Sequence, residues 1–366
     1  MAELKKQDES VVQRLKKRYK AYGYTKFKMN KFEEYDTYVE NKDFLISDKV
    51  ITFTDTNGKL LAMKPDVTIS IIKNADTEKN SVQKVYYNEN VYRVSEGSHA
   101  FKEIMQAGLE CIGNIDAYHI AEVIALAVES LTEISENYVL DLSHMGFVSG
   151  LLDAAGFTAP EKKMVLSAVS EKNLPELSML CSKKGLSSGM AEKITSLVTI
   201  YGPIENVIEK LDRISVNTET EQATQELKQL CDVLKVSGLS KNVQIDFSVV
   251  NDMNYYNGIV FRGYVEGVPS GVLSGGQYDK LVEKMGKNAK AVGFAVYLDI
   301  LERLEQKGDG YDVDVLLLYD DTVFVSEVFK KANELTKTGK AVMVERIEPV
   351  NLRYREKIVM GKGGAN

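Results

Sequence analysis

From Gly150 to about Val236 helical segments rich in Leu, Lys, Glu and Ser follow one another with no convincing strand, while the flanks read as strands and turns. A helical block set between strand-rich stretches limits the layouts open to the chain. It predicts a mixed, mostly antiparallel sheet with flanking helices, an α+β body over residues 1–305 interrupted by a helical insertion at about 150–236. After Gly308 the pattern changes again. "VDVLLLY" reads as strand, "VSEVFKKANELTKTG" as helix and "KAVMVERI" as strand, a short α/β unit over residues 309–366.

The body has its own punctuation. Ser10 and Gln13 stand at capping-box spacing, Val11, Val12, Leu15 and Tyr19 repeat at helical intervals, and Gly23 is placed to stop that helix. "DKVITFTDTNGKLLAM" places two β-prone runs around Asn57-Gly58, the strongest short hairpin signal. "VQKVYYNENVYRV" reads as two short strands and "EIMQAGLECIG" as another. Asp116 is the expected N-cap of a helix over 116–135, with Ile120, Val123, Ile124, Ala127, Leu131 and Ile134 on one face. "YVLDLSHMGF" and "VQIDFSVV" read as strands, and "SGGQYDKLVEKMG" as a glycine turn into a helix.

At 366 residues with 44% hydrophobic and 27% charged, this is the composition of a globular protein of two or three domains. The charged N-terminus has no signal-like apolar run, and no segment is long enough to span a membrane. Cys111, Cys181 and Cys231 lie far apart without a CxxC pair, as expected in a reducing cytoplasm and without a zinc motif. The net charge of −7 supplies no global field for nucleic acid.

Three stretches could carry chemistry. If "IMQAGLEC" is a strand, Met105, Ala107, Leu109 and Cys111 share an apolar face, and Gln106, Gly108 and Glu110 the other. The glycine leaves room for a ligand against the backbone, or it marks a bulge on a solvated face. In "AMKPDVT", Pro65 fixes the chain before Asp66 and Thr68, as in a loop that aims side chains or in an ordinary turn. Arg93 leaves a strand, where an arginine is commonly solvated or paired with an acid. His99, His119 and His144 have no nucleophile or second ligand beside them. The Gly-Gly of "SGGQYD" matches neither a GxGxxG nor a P-loop pattern.

The order of the pieces is more specific than any one of them. A helix, "FTDTNGKLLAMKPDVT", "VYRVSEGSHAFKEIMQAGLECIG", a helical insertion, "NDMNYYNGIVF", "SGGQYDKLVEKMG" and "AVGFAVYLDIL" follow in turn. Over roughly residues 8–305 this resembles the catalytic domain of histidyl-tRNA synthetases, a class II aminoacyl-tRNA synthetase fold. The resemblance implies that Arg93 matches the arginine on the ATP α-phosphate, with Ser95 where an acid usually follows. The arginine for the γ-phosphate falls at Ile300, and the arginine of the activation step at Asn251. Missing cations of that kind remove about 2–4 kcal/mol of transition-state stabilisation each.

The amino-acid pocket is kept. By the resemblance, Asp66, Thr68, Gln106 and Glu110 match residues that contact bound histidine, and Tyr255, Tyr256 and Tyr278 those that wall its ring. Carboxylates and aromatic faces suit a small cationic amino acid. A synthetase-like chain with phosphate arginines missing, and "KPDVT" for Arg-Pro-Glu-Gly-Thr, is similar to the regulatory subunits of ATP phosphoribosyltransferase. That family implies no catalytic residues, metal or cofactor of its own. It implies a homodimer core within a larger hetero-oligomer, in which a short catalytic subunit is activated and made sensitive to free histidine in histidine biosynthesis. A tRNA partner is not expected, since the tail is short for an anticodon-binding domain. The alternatives are a divergent histidyl-tRNA synthetase and a paralogue with another binding or ligase role.

Overall fold

The computed structural model describes residues 2–41, 50–76, 82–94, 100–249, 255–305 and 311–361, with backbone alone for residues 2–10 and 302–305. It divides into two compact units, residues 10–301 and residues 302–366 together with residues 1–9. In chain order, α1 (Ala2–Ala21) precedes β1 (Thr25–Lys26), β2 (Phe32–Glu34) and α2 (Asp36–Glu40). The hairpin of β3 (Thr52–Thr54) and β4 (Leu60–Met63) leads to α3 (Thr68–Asn74), β5 (Gln83–Val94), β6 (Phe101–Gly113) and α4 (Ala117–Ile134). Next come β7 (Tyr138–His144), α5 (Met145–Ala154), α6 (Ala159–Ser170), α7 (Leu174–Lys184), α8 (Ser188–Thr199), β8 (Tyr201–Pro203), α9 (Ile204–Ile214) and α10 (Thr218–Val236). β9 (Val243–Asp246), β10 (Ile259–Val265), β11 (Leu273–Gln277), α11 (Asp279–Lys284), β12 (Lys290–Tyr297) and α12 (Leu298–Glu305) follow.

Nine of these strands form one sheet in the order β1-β5-β6-β12-β11-β10-β7-β9-β8. Only β1 with β5 and β7 with β9 run parallel. The sheet is therefore mostly antiparallel, as the alternation of strand and turn predicts. β2, β4 and β3 make a separate antiparallel sheet.

The expected α4 forms as its sequence dictates. Asp116 accepts hydrogen bonds from the Tyr118 and His119 amides at 3.0 and 3.2 Å, satisfying donors that no helical turn precedes. Its apolar stripe packs on β10, β11 and β12, with Val123, Ile124, Ala127 and Leu131 fully buried. α1 buries Leu15 and Tyr19, and the Tyr19 hydroxyl meets Ser130 Oγ at 2.9 Å. α1 starts at Ala2, however, so Ser10 lies inside the helix rather than capping it. The preceding residues are mostly good helix formers and extend it.

Other expectations are corrected by pairing. "VQKVYYNENVYRV" is one strand, β5, in continuous register with β6 from Gln83↔Ile112 to Val94↔Phe101. Asn88 and Asn90 resemble a turn locally, but a complete ladder overrides that propensity. The hairpin at Asn57-Gly58 closes through a longer loop, with Asp55 accepting from the Asn57 and Lys59 amides. Within the helical insertion, β8 pairs with β9 and edges the main sheet. The Gly-Gly of "SGGQYD" lies in β11, not in a turn.

The unit containing residues 311–361 has three parallel strands in the order β14-β13-β15, where β13 is Val313–Tyr319, β14 Val342–Glu345 and β15 Tyr354–Met360. α13 (Val325–Lys337) connects the first two. β15 was not visible in the sequence because Arg355, Glu356 and Lys357 interrupt its apolar pattern.

The face between α4 and β10 is tightly closed. A Cβ added to Gly263 would lie 2.7 Å from Leu131 Cδ1. Gly263→Ala is expected to cost about 1–3 kcal/mol in urea unfolding, and less in a Leu131→Ala background, where the clashing methyls are gone. Equal costs in both backgrounds would show that the two residues do not press on each other.

Candidate functional site

The registers lay the expected residues on one face of the main sheet. Val85, Glu110, Gly293, Gly276 and Val260 stand side by side across five strands. Beside them runs a second row of Tyr87, Gly108, Ala295, Ser274 and Arg262, and then Glu89, Gln106 and Tyr297. The period of two puts Gln106, Gly108 and Glu110 on the same face, as read from the sequence.

Glycines make this face concave. A Cβ on Gly293 would fall 1.6 Å from Glu110 Oε2, and one on Gly276 2.5 Å from the Tyr256 ring. The glutamate therefore lies over one glycine and the tyrosine over the next. The space above Gly108, expected to admit a ligand, is taken by the Tyr87 hydroxyl, 2.6 Å from where a Cβ would be.

Glu110 is the centre of the site, with 2% of its surface exposed. Thr68 Oγ1 donates to its Oε1 at 2.9 Å, and the Tyr278 hydroxyl donates to its Oε2. Thr68 opens α3, and Tyr278 is the N-cap residue of α11, so two helix starts converge on one carboxyl. Burial, with a smaller push from the nearby Asp66, raises the Glu110 pKa to about 8 against the pull of the two hydroxyls.

Asp66 is also buried, and burial raises its pKa, with the Arg93 charge opposing. Its Oδ1 accepts from the Ile69 amide at 3.1 Å, so "KPDVT" forms a helix start rather than a free loop. Arg93 Nε donates to the Pro65 carbonyl at 3.1 Å and so braces the same turn. Gln106 is buried two positions beyond Gly108. The tyrosines cluster, with Tyr255 4.5 Å from Tyr256 and 5.9 Å from Tyr278 between ring centroids. Asp66, Thr68, Glu110, Tyr255, Tyr256 and Tyr278 are thus brought together, with Arg93 behind Asp66 and Gln106 further along the face. Ile300 lies half-buried in α12 and brings no cation. Ser95, His99, Asn251, Asp252 and Asn254 lie outside the described residues.

Sequence reasoning missed the support around this site. Lys64 is 1% exposed and pairs at 2.8 Å with Glu89, which stands directly opposite Gln106. Ser70 donates to Glu33 at 2.6 Å and fixes α3. Lys64 stood in the quoted "KPDVT", but nothing in the sequence distinguishes a buried lysine from a solvated one. His119 closes the capping box of α4, and His144 caps α5 while bonding Glu226 at 3.0 Å. Among the described residues no group of three or more His, Cys, Asp or Glu could hold a metal ion, and no helix is long and apolar enough to cross a membrane.

A carboxyl centred on a glycine-floored antiparallel sheet and walled by tyrosines defines a protein of the class II, histidyl-tRNA synthetase type. The family model described as histidyl-tRNA synthetase matches residues 2–301. An ATP phosphoribosyltransferase regulatory subunit from Clostridium kluyveri is 30% identical over 328 residues, 87% of this chain and 83% of that protein. The chain belongs to the family of ATP phosphoribosyltransferase regulatory subunits, non-catalytic relatives built on the synthetase fold. A solved structure titled as an ATP phosphoribosyltransferase regulatory subunit/histidyl-tRNA synthetase, from Bacillus halodurans, superposes with a TM-score of 0.79 at 25% identity, covering 97% of this chain and 94% of that one. A chain of the ATP phosphoribosyl transferase complex from Thermotoga maritima has the same fold, with a TM-score of 0.63 at 21% identity, covering 80% of this chain and 97% of that one.

The pocket makes a pH prediction. Glu110 titrates near 8 in the folded protein and near the ordinary 4.5 once unfolded, so between these values the native state holds the extra proton. The stability it confers is lost as pH rises through that window. Urea unfolding should show wild type losing stability relative to Glu110→Gln between pH 5 and 8, and parallel pH curves for the two proteins would contradict this placement of the proton.

Proposed function

We propose that this chain is the histidine-sensing regulatory subunit of a hetero-oligomeric ATP phosphoribosyltransferase, activating a short catalytic subunit and making it sensitive to histidine. One observation carries the sensing role. Glu110 and Asp66 are two buried carboxyls, and no described cationic side chain bonds to Glu110. Ionising such a carboxyl is costly unless a cation joins it. Free histidine supplies an ammonium and ring N–H groups for Asp66, Thr68, Gln106 and Glu110, and an imidazole for Tyr255, Tyr256 and Tyr278. The Thermotoga maritima structure that shares this fold is titled as an ATP phosphoribosyl transferase complex, which supports an assembly of this kind, and Arg93 is the candidate contact for a phosphate.

Calorimetry should detect histidine binding to the purified chain. Glu110→Gln should weaken it by about 1.5–3 kcal/mol, the scale of a hydrogen bond to a charged group. Equal affinity in the mutant would remove Glu110 from the site.

Mixed with a short-form ATP phosphoribosyltransferase from the same source, the chain should raise its activity and make it histidine-sensitive. Histidine inhibits only as far as it prefers the inactive assembly, typically by about 1–3 kcal/mol of coupling. Glu110→Gln should still activate, yet respond to histidine only at higher concentration. Failure of the two chains to associate would end the regulatory reading. Robust histidine-dependent pyrophosphate–ATP exchange by this chain alone would favour a working synthetase, which Ile300 opposes. The core is expected to be a homodimer, which sedimentation at micromolar concentration would show.

A further inference from the structure

The tyrosine-walled pocket gathers acids, yet a free amino acid also carries a carboxylate. Beside Glu110 and Asp66 that carboxylate is disfavoured unless a cation answers it. Two cations close to these acids are already engaged, Lys64 with Glu89 at 2.8 Å and Arg93 with the Pro65 carbonyl and the charge of Asp66. Arg262 is not. It is exposed and makes no ion pair or hydrogen bond with a described residue.

The register puts Arg262 on the face of the pocket. It lies two positions beyond Val260, which packs on Tyr256, and in one row with Ser274 and Gly108. Its stem passes over Gly271, where a Cβ would fall 2.8 Å from both Cγ and Cδ. Asp141 stands opposite on β7, but the two do not pair. Burial and then the charge of Asp246 push the Asp141 pKa up to about 6, and the cation that opposes them is Lys172. Tyr256 feels both ends of the pocket. Burial raises its pKa first, Tyr297, Glu110 and Asp66 add to this, and the Arg262 charge opposes them.

A line of polar side chains joins the arginine to the amino-acid site. Gln106 stands beside Tyr297, the Tyr297 hydroxyl meets Ser274 Oγ at 2.7 Å, and Ser274 stands beside Arg262. Buried carboxyls thus lie at one end of this face and an uncommitted guanidinium at the other. A guanidinium offers two parallel N–H groups, the geometry a carboxylate accepts.

We infer that Arg262 is a specificity residue of the pocket, taking the α-carboxylate of the bound amino acid while the acids take its ammonium and ring N–H. The inference rests on the histidine-sensing reading and adds to it what the site rejects: a ligand with the same ring and amine but no carboxylate.

Calorimetry on the full chain with L-histidine, histamine and L-histidinamide is the test. Histamine lacks the carboxylate, and histidinamide lacks its charge. Wild type should bind histidine about tenfold or more tighter than either. Arg262→Gln should weaken histidine by the same factor and leave histamine within about twofold, whereas Arg262→Lys should recover part of the preference. Glu110→Gln should weaken all three ligands. Histidine affinity unchanged in Arg262→Gln, equal weakening of histidine and histamine, or a wild type that binds histamine as tightly as histidine would each overturn the assignment of Arg262 and leave histidine sensing intact. No binding of histidine to wild type would overturn the sensing reading and this inference with it.

Discussion

Glu110 lies on the third strand of a nine-stranded sheet with almost no access to water, and both of its oxygens are engaged by hydroxyls. The surroundings follow from accommodating it. Gly293 must lack a side chain because the carboxyl lies over it. α3 and α11 must start where they do, because the first residue of α3 is Thr68 and the N-cap residue of α11 is Tyr278. Asp66 serves two ends at once, since the carboxyl that accepts from the Ile69 amide in the first turn of α3 also adds to the local negative potential. Lys64 and Glu89 then fix the turn that precedes it, as a pair whose separation would leave the buried lysine's charge uncompensated.

The same geometry separates binding from activation chemistry. Amino-acid recognition needs shape, hydroxyls and carboxyls, and those come from strands and helix starts that also hold the fold together. Phosphate chemistry needs cations aimed at a developing charge. Ile300 offers none, and Arg93 is drawn to the Pro65 carbonyl and Asp66. On the proposed reading a pocket can lose the reaction while keeping its ligand, because the two functions rest on different residues.

Much of this was legible in the sequence. The strand alternation, the Asp116 cap and the helical insertion rest on local patterns that survive folding. The face carrying Gln106, Gly108 and Glu110 followed from a period of two alone. What stayed hidden depends on partners distant in sequence. Asn88 and Asn90 read as a turn until β6 supplies a ladder for them. Gly108 read as open space until Tyr87 from the next strand fills it. Lys64 carries no sign of its burial, and Gly275-Gly276 reads as a turn unless the Phe294 and Tyr256 side chains above it are known.

The short strand β8 gives the helical insertion a second character. By pairing with β9 it makes the insertion part of the main sheet, and α10 packs back on α4 and α5. The insertion is thus not a detachable module. Excising it to make a minimal chain would strip β9 of one of its two neighbours and bare the edge that β8 covers, leaving unpaired amides and carbonyls as a template for self-association. A shortened version of this protein would have to keep Tyr201–Pro203, or replace the pairing they provide, to remain a discrete molecule.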